Sequence, residues 1–397
     1  MDTRDESPAG MTREAAGLQP QQSVTTLVLH GTSYTQQQLC AGVDRAPCHD
    51  YAQHVLQFCQ QWLCGQETFT LHTSGSTGQP KTILLTRAQM VTSAHWTGQA
   101  LGLQAGDHAL VCLSATYIAG MMMLVRGFEL GLHLTVIDPV SSPLAAFTPP
   151  AHFDFTAMVP LQLQETLHGP AHARALLDGM KGVLIGGAPV SVALEAQLQT
   201  VQAPLYHTYG MTETVSHIAL RRLNGPHRST DFTPFREVGL GVDARGCLTI
   251  TSTLTRGETL YTNDLVTLHP DGSFRWLGRI DHVINSGGVK VHIEQVERAL
   301  EAWLLHYRAG EYAHCRFFVG ALPHTRLGQE VVALFEDTAD TDETTRAAEV
   351  ATALRVALRP VLAPYAIPRQ VYFVPKFLET PTGKIDRGAT LARLAGG

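Results

Sequence analysis

The chain has 397 residues, of which 44% are apolar, and a formal net charge of −6. This length and composition suit a globular protein of roughly two or three domains with a large core. The negative charge and the lack of Lys/Arg runs argue against general nucleic-acid binding, and no stretch approaches the roughly 18 uninterrupted apolar residues of a membrane span.

The N-terminal part combines a polar start with most of the cysteines. Residues 1–22 are polar and acidic and lack the apolar region of a signal peptide, so we predict that they are disordered. The seven cysteines are unevenly spread, which favours a reducing compartment, and so a cytoplasmic location, over a disulfide framework. One cluster lacks zinc-binding spacing, and we interpret its thiols as buried on helices. It comprises Cys40, Cys48, His49, Cys59 and Cys64.

Residues 72–81 read His-Thr-Ser-Gly-Ser-Thr-Gly-Gln-Pro-Lys, a composition suited to holding a polyphosphate. Glycines let the backbone approach phosphate oxygens, hydroxyls donate hydrogen bonds, and the lysine adds positive charge. Pro80 stands where a P-loop has its second glycine. Extended segments flank the loop, and a capping-box pattern at Thr86 then starts a helix. We therefore predict a loop between two strands rather than the strand-to-helix loop of a P-loop NTPase, although the loop taken alone also suits an ordinary turn.

Strands and helices alternate after this loop. Apolar strand candidates lie at 109–114, 133–138, 155–159, 182–185 and 205–208. This order predicts a largely parallel sheet covered by helices. Ligands bind such sheets at the carboxyl ends of the strands. The loops expected near a ligand are therefore 114–120, 186–189 and 209–214.

From residue 246 the pattern changes to short strand candidates, at 247–253, 259–262, 265–269 and 274–277. Gly278-Arg279-Ile280-Asp281 then marks a boundary. Beyond it we predict a compact α+β unit with helices at 294–306 and 347–362 and strands at 316–321, 330–335 and 370–374. We expect a large N-terminal domain over 23–280 and a small C-terminal domain over 281–397.

Five segments stand in a recognisable order: 73–81, 186–190 (GGAPV), 209–214 (YGMTET), Asp264 with 278–281 (GRID), and 381–387 (PTGKIDR). Together they resemble the adenylate-forming superfamily of acyl-CoA synthetases, luciferases and peptide-synthetase adenylation domains, from residue 68 onward. The resemblance implies an α/β fold, in which a large domain with a mostly parallel sheet carries a small, mobile α+β C-terminal domain. In this chemistry a carboxylate attacks the α-phosphate of ATP, giving an acyl-adenylate and pyrophosphate.

The resemblance also implies how ATP and Mg²⁺ are bound. Tyr209 is expected to stack on adenine, Thr212 to hydrogen-bond the α-phosphate, and Glu213 to bind Mg²⁺. Asp264 is expected to accept hydrogen bonds from the ribose hydroxyls, with Arg279 beside it. The implied ATP-binding set is Thr73, Ser74, Gly75, Ser76, Thr77, Gly78, Lys81, Gly187, Ala188, Pro189, Tyr209, Gly210, Met211, Thr212, Asp264 and Arg279.

By the same resemblance, the C-terminal domain serves two half-reactions. Lys384 is expected to bridge carboxylate and α-phosphate oxygens, forming the catalytic set with Thr212 and Glu213. Asp281 is expected to be the hinge about which the domain swings between an adenylating and a thioester-forming pose. In the second pose Gly287 and Gly288 would leave room for a pantetheine arm, so the expected acceptor is coenzyme A.

Within the superfamily the chain is most similar to the o-succinylbenzoate–CoA ligases of menaquinone synthesis. The segment LSATYIAG (113–120), the Val-Ser-His that follows residue 214, and the short stretch before the phosphate loop carry this similarity. O-succinylbenzoate has a second carboxylate that is not activated, and Arg126 is its candidate partner, directly or through water. The alternative is that Arg126 ends a helix at the surface. The expected substrate-binding residues are Tyr117, Arg126, Gly186 and Ser216.

The sequence also departs from the relatives and leaves alternatives. Tyr117 stands where many relatives have histidine, and we expect it to pack or to hydrogen-bond the substrate. The short N-terminal region suggests a reduced second sheet or a partner subunit, so a homo-oligomer remains open. Alternative functions are a CoA ligase for another aryl or fatty acid, and a nucleotide-binding protein without turnover. The presence of both Glu213 and Lys384 argues against the latter.

Overall fold

The computed structural model describes residues 26–44, 49–73, 81–310, 312, 315–337, 343–380 and 385–395. Four features discussed in the sequence analysis lie outside the described residues: the segment 1–22, Cys48, the centre of the phosphate loop (74–80) and Lys384.

Short strands and helices build the N-terminal part in regular succession. Its strands are β1 (Thr26–Leu29), β2 (Thr32–Thr35), β3 (Thr68–Thr73), β4 (Lys81–Thr86), β5 (His108–Val111), β6 (His133–Val136), β7 (Phe155–Met158), β8 (Gly182–Ile185), β9 (Leu205–Gly210), β10 (His217–Arg222) and β11 (Thr233–Pro234). Its helices are α1 (Gln36–Ala41), α2 (Asp50–Leu63), α3 (Arg87–Leu101), α4 (Ile118–Leu130), α5 (Pro160–His168), α6 (Ala171–Asp178) and α7 (Val192–Leu198).

A nine-stranded sheet lies at the centre of this part, in the order β11-β10-β9-β8-β7-β5-β6-β1-β2. The neighbours from β9 to β1 pair in parallel, and β10, β11 and β2 add antiparallel edges. Alternate residues of β8 face opposite cores: Leu184 packs with helices α3 and α4, while Val183 and Ile185 pack with α5, α6 and α7. The predicted parallel α/β sheet is therefore confirmed.

The phosphate-loop flanks form a separate antiparallel hairpin, β3–β4, in which Thr73 pairs with Lys81. The predicted strand–loop–strand arrangement is confirmed. Thr86 then caps α3: its side chain accepts a hydrogen bond from the Gln89 backbone, and the Gln89 side chain accepts one from the Thr86 backbone at 2.9 Å. This reciprocal capping box fixes where the hairpin ends and the helix begins.

A four-stranded antiparallel sheet follows, formed by β12 (Gly239–Val242), β13 (Cys247–Thr251), β14 (Leu260–Leu268) and β15 (Phe274–Arg279). The prediction of two strands, at 259–262 and 265–269, is wrong because β14 is continuous. The pairing of β14 with β15 shifts register between Leu265 and Val266. Such a bulge breaks the alternation of apolar residues along one strand, and the sequence pattern therefore suggested an end.

The C-terminal part has its own core. It comprises β16 (Val283–Ser286), β17 (Val289–His292), α8 (Ile293–Leu304), β18 (Phe317–His324), β19 (Gly328–Glu336), α9 (Glu343–Leu358), β20 (Gln370–Val374) and α10 (Arg387–Ala395). The sheet order is β17-β16-β19-β18, and β20 pairs in parallel with β19. The predicted helices and strands of this unit are confirmed to within a few residues. The sequence missed the β16–β17 hairpin and α10.

The cysteines near the N-terminus are not all buried. Cys59 lies in the core of α2, as expected, but Cys40 and Cys64 are exposed and their sulfurs lie 3.4 Å apart. The expectation of buried thiols is wrong for this pair because Cys40 lies in the last turn of α1 and Cys64 caps α2 at the surface. Among the described residues, no helix is both long and apolar enough to cross a bilayer.

Helix α4 runs through the centre of the N-terminal part and is buried from Gly120 to Phe128. A helix enclosed on every side is expected to be apolar all round, and Arg126 is the one charged residue between Gly120 and Phe128. Gly120 lies against the loop that follows β5. A side chain at this position would clash with the Ser114 carbonyl oxygen and approach that of Leu113 to 2.6 Å.

We expect Gly120→Ala to destabilise the protein. The clash involves backbone atoms and outweighs the roughly 1 kcal/mol that alanine gains over glycine in a helix. The free energy of unfolding, measured by urea denaturation, should fall by about 1–2 kcal/mol. Ala119→Ser, at an exposed neighbouring position, is the matched control and should change stability little. A more stable Gly120→Ala protein would contradict the close approach.

Candidate active site

The carboxyl ends of β8 and β9 lie side by side and carry two of the predicted ligand loops. Gly186 follows β8, and a side chain there would clash with the hydroxyl of Thr208, which donates a hydrogen bond to the Ile185 carbonyl at 3.2 Å. Gly187 has a φ of +79°, in the region that favours glycine. Residues 187–189 are exposed. The segment therefore forms a thin, open edge that a flat ring can approach.

The side chain of His207 contacts this segment. Its ring hydrogen-bonds the Ala188 backbone, and its Nδ1 accepts a hydrogen bond from Arg221 at 3.2 Å. Burial and then the Arg221 charge lower the pKa of His207 to about 4. The imidazole is therefore neutral near pH 7, with Nδ1 as the acceptor. Its strand position in β9 is confirmed, but its contact with the predicted ligand loop 186–189 was missed, since nothing in the sequence pairs residue 207 with residue 188.

Tyr209 and Asp264 connect the large sheet to the four-stranded sheet. The Tyr209 hydroxyl donates to Asp264 Oδ2 at 2.6 Å, and the Trp276 indole donates to Oδ1 at 3.1 Å. Burial, followed by the Asp264 charge, raises the pKa of Tyr209 above its usual range, so the hydroxyl stays protonated and donates. The Tyr209 ring packs against Phe232 and Phe274. Tyr209 and Asp264, two of the predicted ATP-binding residues, are thus bonded to each other. Trp276 fixes the second oxygen of Asp264, a contact that the sequence analysis missed.

We expect Tyr209→Phe to weaken ATP binding while leaving the ring in place. The substitution removes a hydrogen bond to a charged acceptor, a type worth about 1.5–3 kcal/mol. The KM for ATP should therefore rise by about tenfold or more, as measured by pyrophosphate release at saturating acid. Tyr261→Phe is the control, because Tyr261 lies on the same strand as Asp264 and is 66% exposed. An unchanged KM for ATP would separate Tyr209 and Asp264 from nucleotide binding.

Arg279 and Asp281 form an ion pair at the boundary between the two parts. Asp264 and Arg279 are partners in the β14–β15 register, and Arg279 Nη2 lies 2.6 Å from Asp281 Oδ2. Asn263 donates to Asp281 Oδ1 at 3.1 Å. The hydrogen bond from Arg279 is the main cause that lowers the pKa of Asp281. The predicted hinge residue therefore stays charged and is bonded to residues of the N-terminal part.

A second contact across the boundary joins α7 to α8. The Glu195 carboxylate is buried and pairs with Arg221 at 2.8 Å and with Arg298 of the C-terminal part at 2.6 Å. Arg228 lies 3.5 Å away. Burial alone would raise the pKa of Glu195, but the hydrogen bond from Arg298 and the Arg221 charge lower it below its usual value. A charged, fully surrounded carboxylate therefore holds the observed orientation of the C-terminal part.

Gly287 and Gly288 form the two-residue turn between β16 and β17. Their φ angles are +59° and +81°. Positive φ at both central positions is the requirement of a type I′ hairpin, which accounts for the glycine pair by itself. Gly287 lies close to Tyr365 and Leu327 of its own domain. The predicted contact with coenzyme A stays a prediction.

A buried polar cluster lies beneath the start of β10. Arg126 in α4 is 2% exposed and donates to Ser216 Oγ at 3.0 Å. His217 Nδ1 lies 3.2 Å from Ser216 Oγ, and its Nε2 lies 3.2 Å from the Thr97 hydroxyl. Burial lowers the pKa of Arg126 to about 9. The alternative that Arg126 ends a helix at the surface is wrong.

The Arg126 guanidinium has no anionic partner among the described residues. Its Nε is buried without a hydrogen-bond partner in this part of the chain, and so is the Ser93 hydroxyl one turn before Thr97 on α3. Buried charges in proteins are normally paired, because leaving one unpaired costs several kcal/mol. The cluster is therefore suited to bind a negatively charged group.

A strained turn presents Ser216 to this cluster. Val215 has φ +65° and ψ −55°, and the Ser216 N–H donates to the Thr214 carbonyl at 2.7 Å. These angles and this bond define a classic γ-turn, which is rare and strained, above all at a β-branched residue. Val215 is fully buried, so its packing holds the turn. Strain of this kind concentrates at functional sites.

The remaining predicted residues lie around these two groups. Gly210 packs against the Ser216 carbonyl, with no room for a side chain, and Met211 leads into the turn Thr212–Thr214. Glu213 is half-buried on this turn. Its carboxylate suits a hard cation such as Mg²⁺, with phosphate oxygens and waters as further ligands. Tyr117 caps α4 and is 69% exposed, so it does not pack into the core.

This geometry defines a class of protein. The chain has a mostly parallel sheet whose carboxyl edge carries an open Gly-Gly-Ala-Pro segment and a Tyr–Asp pair, followed by a small C-terminal part with its own sheet, and this is the fold that the resemblance to adenylate-forming enzymes implied.

Comparison with known proteins gives the family. Residues 11–242 match the family model of the AMP-binding enzymes, and the chain belongs to this family. The probable 2-succinylbenzoate–CoA ligase of Mycobacterium tuberculosis is 30% identical over 346 residues, covering 82% of this chain and 84% of the relative.

Two solved structures are also similar. An acyl-CoA synthetase (AMP-forming)/AMP-acid ligase II-like protein from Dyadobacter fermentans is 44% identical, with a TM-score of 0.58, over 89% of this chain and 97% of that one. The E. coli MenE structure with a bound analogue of OSB-AMS is 18% identical, with a TM-score of 0.67, over 95% and 97%. The latter supports the fold alone.

Proposed function

We propose that this enzyme is an ATP-dependent o-succinylbenzoate–CoA ligase that acts in menaquinone biosynthesis. The coarser activity, AMP-forming ligation of a carboxylic acid to coenzyme A, follows from the family and its relatives. The identity of the acid is the proposal, and it rests on the cluster around Arg126.

The choice of acid rests on the buried guanidinium of Arg126, which has no anionic partner among the described residues. O-succinylbenzoate has two carboxylates, so that when the succinyl carboxylate is activated the aromatic one enters the pocket still charged. Arg126 and Ser216 offer it a cation and a hydroxyl, and a charge-assisted hydrogen bond to Arg126 Nε would use the donor that has no protein partner among the described residues. A fatty acid would leave this charge buried and unpaired, which disfavours it.

In the proposed first half-reaction, the enzyme binds ATP and Mg²⁺ and activates the acid. Tyr209 and the 187–189 edge would hold adenine, and Asp264 and Arg279 the ribose. Glu213 would hold Mg²⁺, which neutralises phosphate charge. The β3–β4 hairpin would close its loop over the β- and γ-phosphates. Thr212 and Lys384 would then stabilise the charge that develops on the α-phosphate as the succinyl carboxylate attacks.

The second half-reaction needs the C-terminal domain to turn about Asp281. The Arg279–Asp281 and Glu195–Arg298 pairs would separate or rearrange during this turn. The β16–β17 hairpin with Gly287 and Gly288 would then approach the adenylate, and the coenzyme A thiolate would attack the acyl carbon and release AMP.

The proposed substrate is tested by matched acids. Pyrophosphate release is measured with o-succinylbenzoate, with 4-oxo-4-phenylbutanoate, which lacks only the aromatic carboxylate, and with a straight-chain fatty acid. We expect kcat/KM to be highest for o-succinylbenzoate and about tenfold or more lower for the analogue that lacks the second carboxylate. Equal use of the two aromatic acids would reject the proposed role of the second carboxylate, and a preference for the fatty acid would reject the substrate class.

A further inference from the structure

Three side chains that the proposed reaction does not use meet at the edge of the large sheet. His30 Nε2 lies 3.3 Å from Asp138 Oδ2, and His49 Nε2 lies 3.6 Å from Asp138 Oδ1. The three ligand atoms all lie within 4.8 Å of one another, and the two imidazole rings are 4.6 Å apart between centroids. The donor set is therefore two imidazole nitrogens and one carboxylate at a common point.

Three separate elements bring these residues together. His30 is in the turn between β1 and β2, His49 is the N-cap residue of α2, and Asp138 follows β6. Because β1 and β6 are parallel neighbours in the sheet, their carboxyl ends share an edge. His30 has a φ of +49°, a conformation that histidine adopts more readily than most residues but that is uncommon outside glycine.

These distances match the spacing of ligands around one metal ion. With bonds of about 2.0–2.1 Å, two tetrahedral ligands of zinc lie about 3.3–3.4 Å apart. The two Nε2–Oδ separations, 3.3 and 3.6 Å to different oxygens of Asp138, are close to this value. The remaining separations of the set, at most 4.8 Å, would shorten as the ion draws the exposed side chains together. Imidazole nitrogens suit zinc and similar transition metals, whereas Mg²⁺ prefers oxygen ligands alone. Three protein ligands leave the fourth position to water.

We propose that His30, His49 and Asp138 form a surface site for Zn²⁺, separate from the Mg²⁺ of the proposed reaction. The side chains are 34%, 52% and 49% exposed, so an ion reaches them from solvent. The ion links the first hairpin and the N-terminus of α2 to the sheet. Two residues further along α2, the Tyr51 hydroxyl donates to the Leu113 carbonyl at 3.3 Å, at the start of the segment 113–120 that contains the predicted substrate-binding residue Tyr117. The site therefore stabilises the support of that segment.

The test measures zinc binding by the full chain at neutral pH, in competition with a chromogenic zinc indicator and with excess Mg²⁺ present. We expect one tight Zn²⁺ per chain and a higher thermal midpoint when zinc is added. Co²⁺ in place of Zn²⁺ should give the visible absorption of a four-coordinate site. Absence of stoichiometric binding overturns the proposal, as does a Co²⁺ spectrum of octahedral type.

Substitutions locate the ion. His30→Asn, His49→Asn and Asp138→Asn should each weaken binding by about tenfold or more, and asparagine is chosen at residue 30 because it tolerates positive φ. His152→Asn is the matched control: His152 is exposed and lies 3.2 Å from Asp154, but the described residues place no third ligand with them.

A further control tests the thiols. The double variant Cys40→Ser/Cys64→Ser removes the two exposed thiols that the structure describes near the N-terminus, which could also bind zinc, and it should keep full binding. Unchanged affinity in the His30 and His49 variants, or its loss in the cysteine variant, would assign the ion elsewhere and overturn the proposal. Acid activation is not part of any readout, so failure here leaves the proposed ligase function intact.

Discussion

Lys384→Ala is expected to slow adenylate formation by about 10²-fold or more, the scale for losing one charge-stabilising donor in a transition state. The lysine is proposed to neutralise charge shared by the attacking carboxylate and the α-phosphate. This charge exists only in the first half-reaction. Thioester formation from a supplied acyl-adenylate should therefore proceed at nearly the normal rate.

The two half-reactions are measured separately. Pyrophosphate release reports the first, and conversion of chemically prepared o-succinylbenzoyl-adenylate to its coenzyme A thioester reports the second. Lys376→Ala, at an exposed position in the same domain, controls for a general loss of charge and should leave both rates unchanged. Equal losses in both half-reactions of Lys384→Ala would refute the two-pose mechanism.

The second large effect is expected at Arg126, where one substitution should lower activity without lowering stability. Arg126→Met removes the buried charge but keeps much of the side-chain volume. With o-succinylbenzoate, kcat/KM should fall by about 10²-fold or more, because the aromatic carboxylate would enter a pocket without its cation. With 4-oxo-4-phenylbutanoate the loss should be small or reversed. The KM for ATP should change little.

The same variant should be at least as stable as the parent protein without ligands. Arg126 has no anionic partner in the part of the chain that the structure describes, so replacing its buried charge with an apolar side chain removes a desolvation cost. Thermal unfolding of both proteins, with and without the acid, checks this expectation. A large loss of stability in Arg126→Met would indicate that the guanidinium serves the fold, and equal loss of activity with both acids would remove it from the acid pocket.

The succession of strands β5 to β9 along the chain and the positions of the loops that follow them could be predicted, because local sequence patterns indicate them. The capping box at Thr86 predicts where α3 begins, and Gly182–Ile185 is an apolar run bounded by turns. The contacts that complete the site could not be predicted in this way. Trp276 contacts Asp264 from the neighbouring strand, and His207 on β9 contacts Ala188 in the loop after the neighbouring strand β8. These partners therefore depend on strand register and not on sequence neighbours.

Backbone conformation was the other missing information. The γ-turn at Val215 contradicts the preferences of valine, and the sequence therefore gave no sign of it. Its consequence is that Ser216 meets Arg126 just before the start of β10, with His217 bonded to Ser216 beside it. Conversely, the glycine pair at 287–288, which the sequence suggested as space for a ligand, is explained by the turn that both residues occupy.

The setting of Glu195 has a consequence for the motion of the C-terminal domain. In the proposed swing, Arg298 departs with α8, whereas Arg221 and Arg228 belong to the N-terminal part and remain beside the carboxylate. Water would then replace one of the three arginines around Glu195, and two would remain. The carboxylate would not become an unpaired buried anion, which would cost several kcal/mol. The Glu195 contacts would therefore add little to the free-energy difference between the two poses of the proposed swing. We expect the occupant of the cleft to decide which pose is populated.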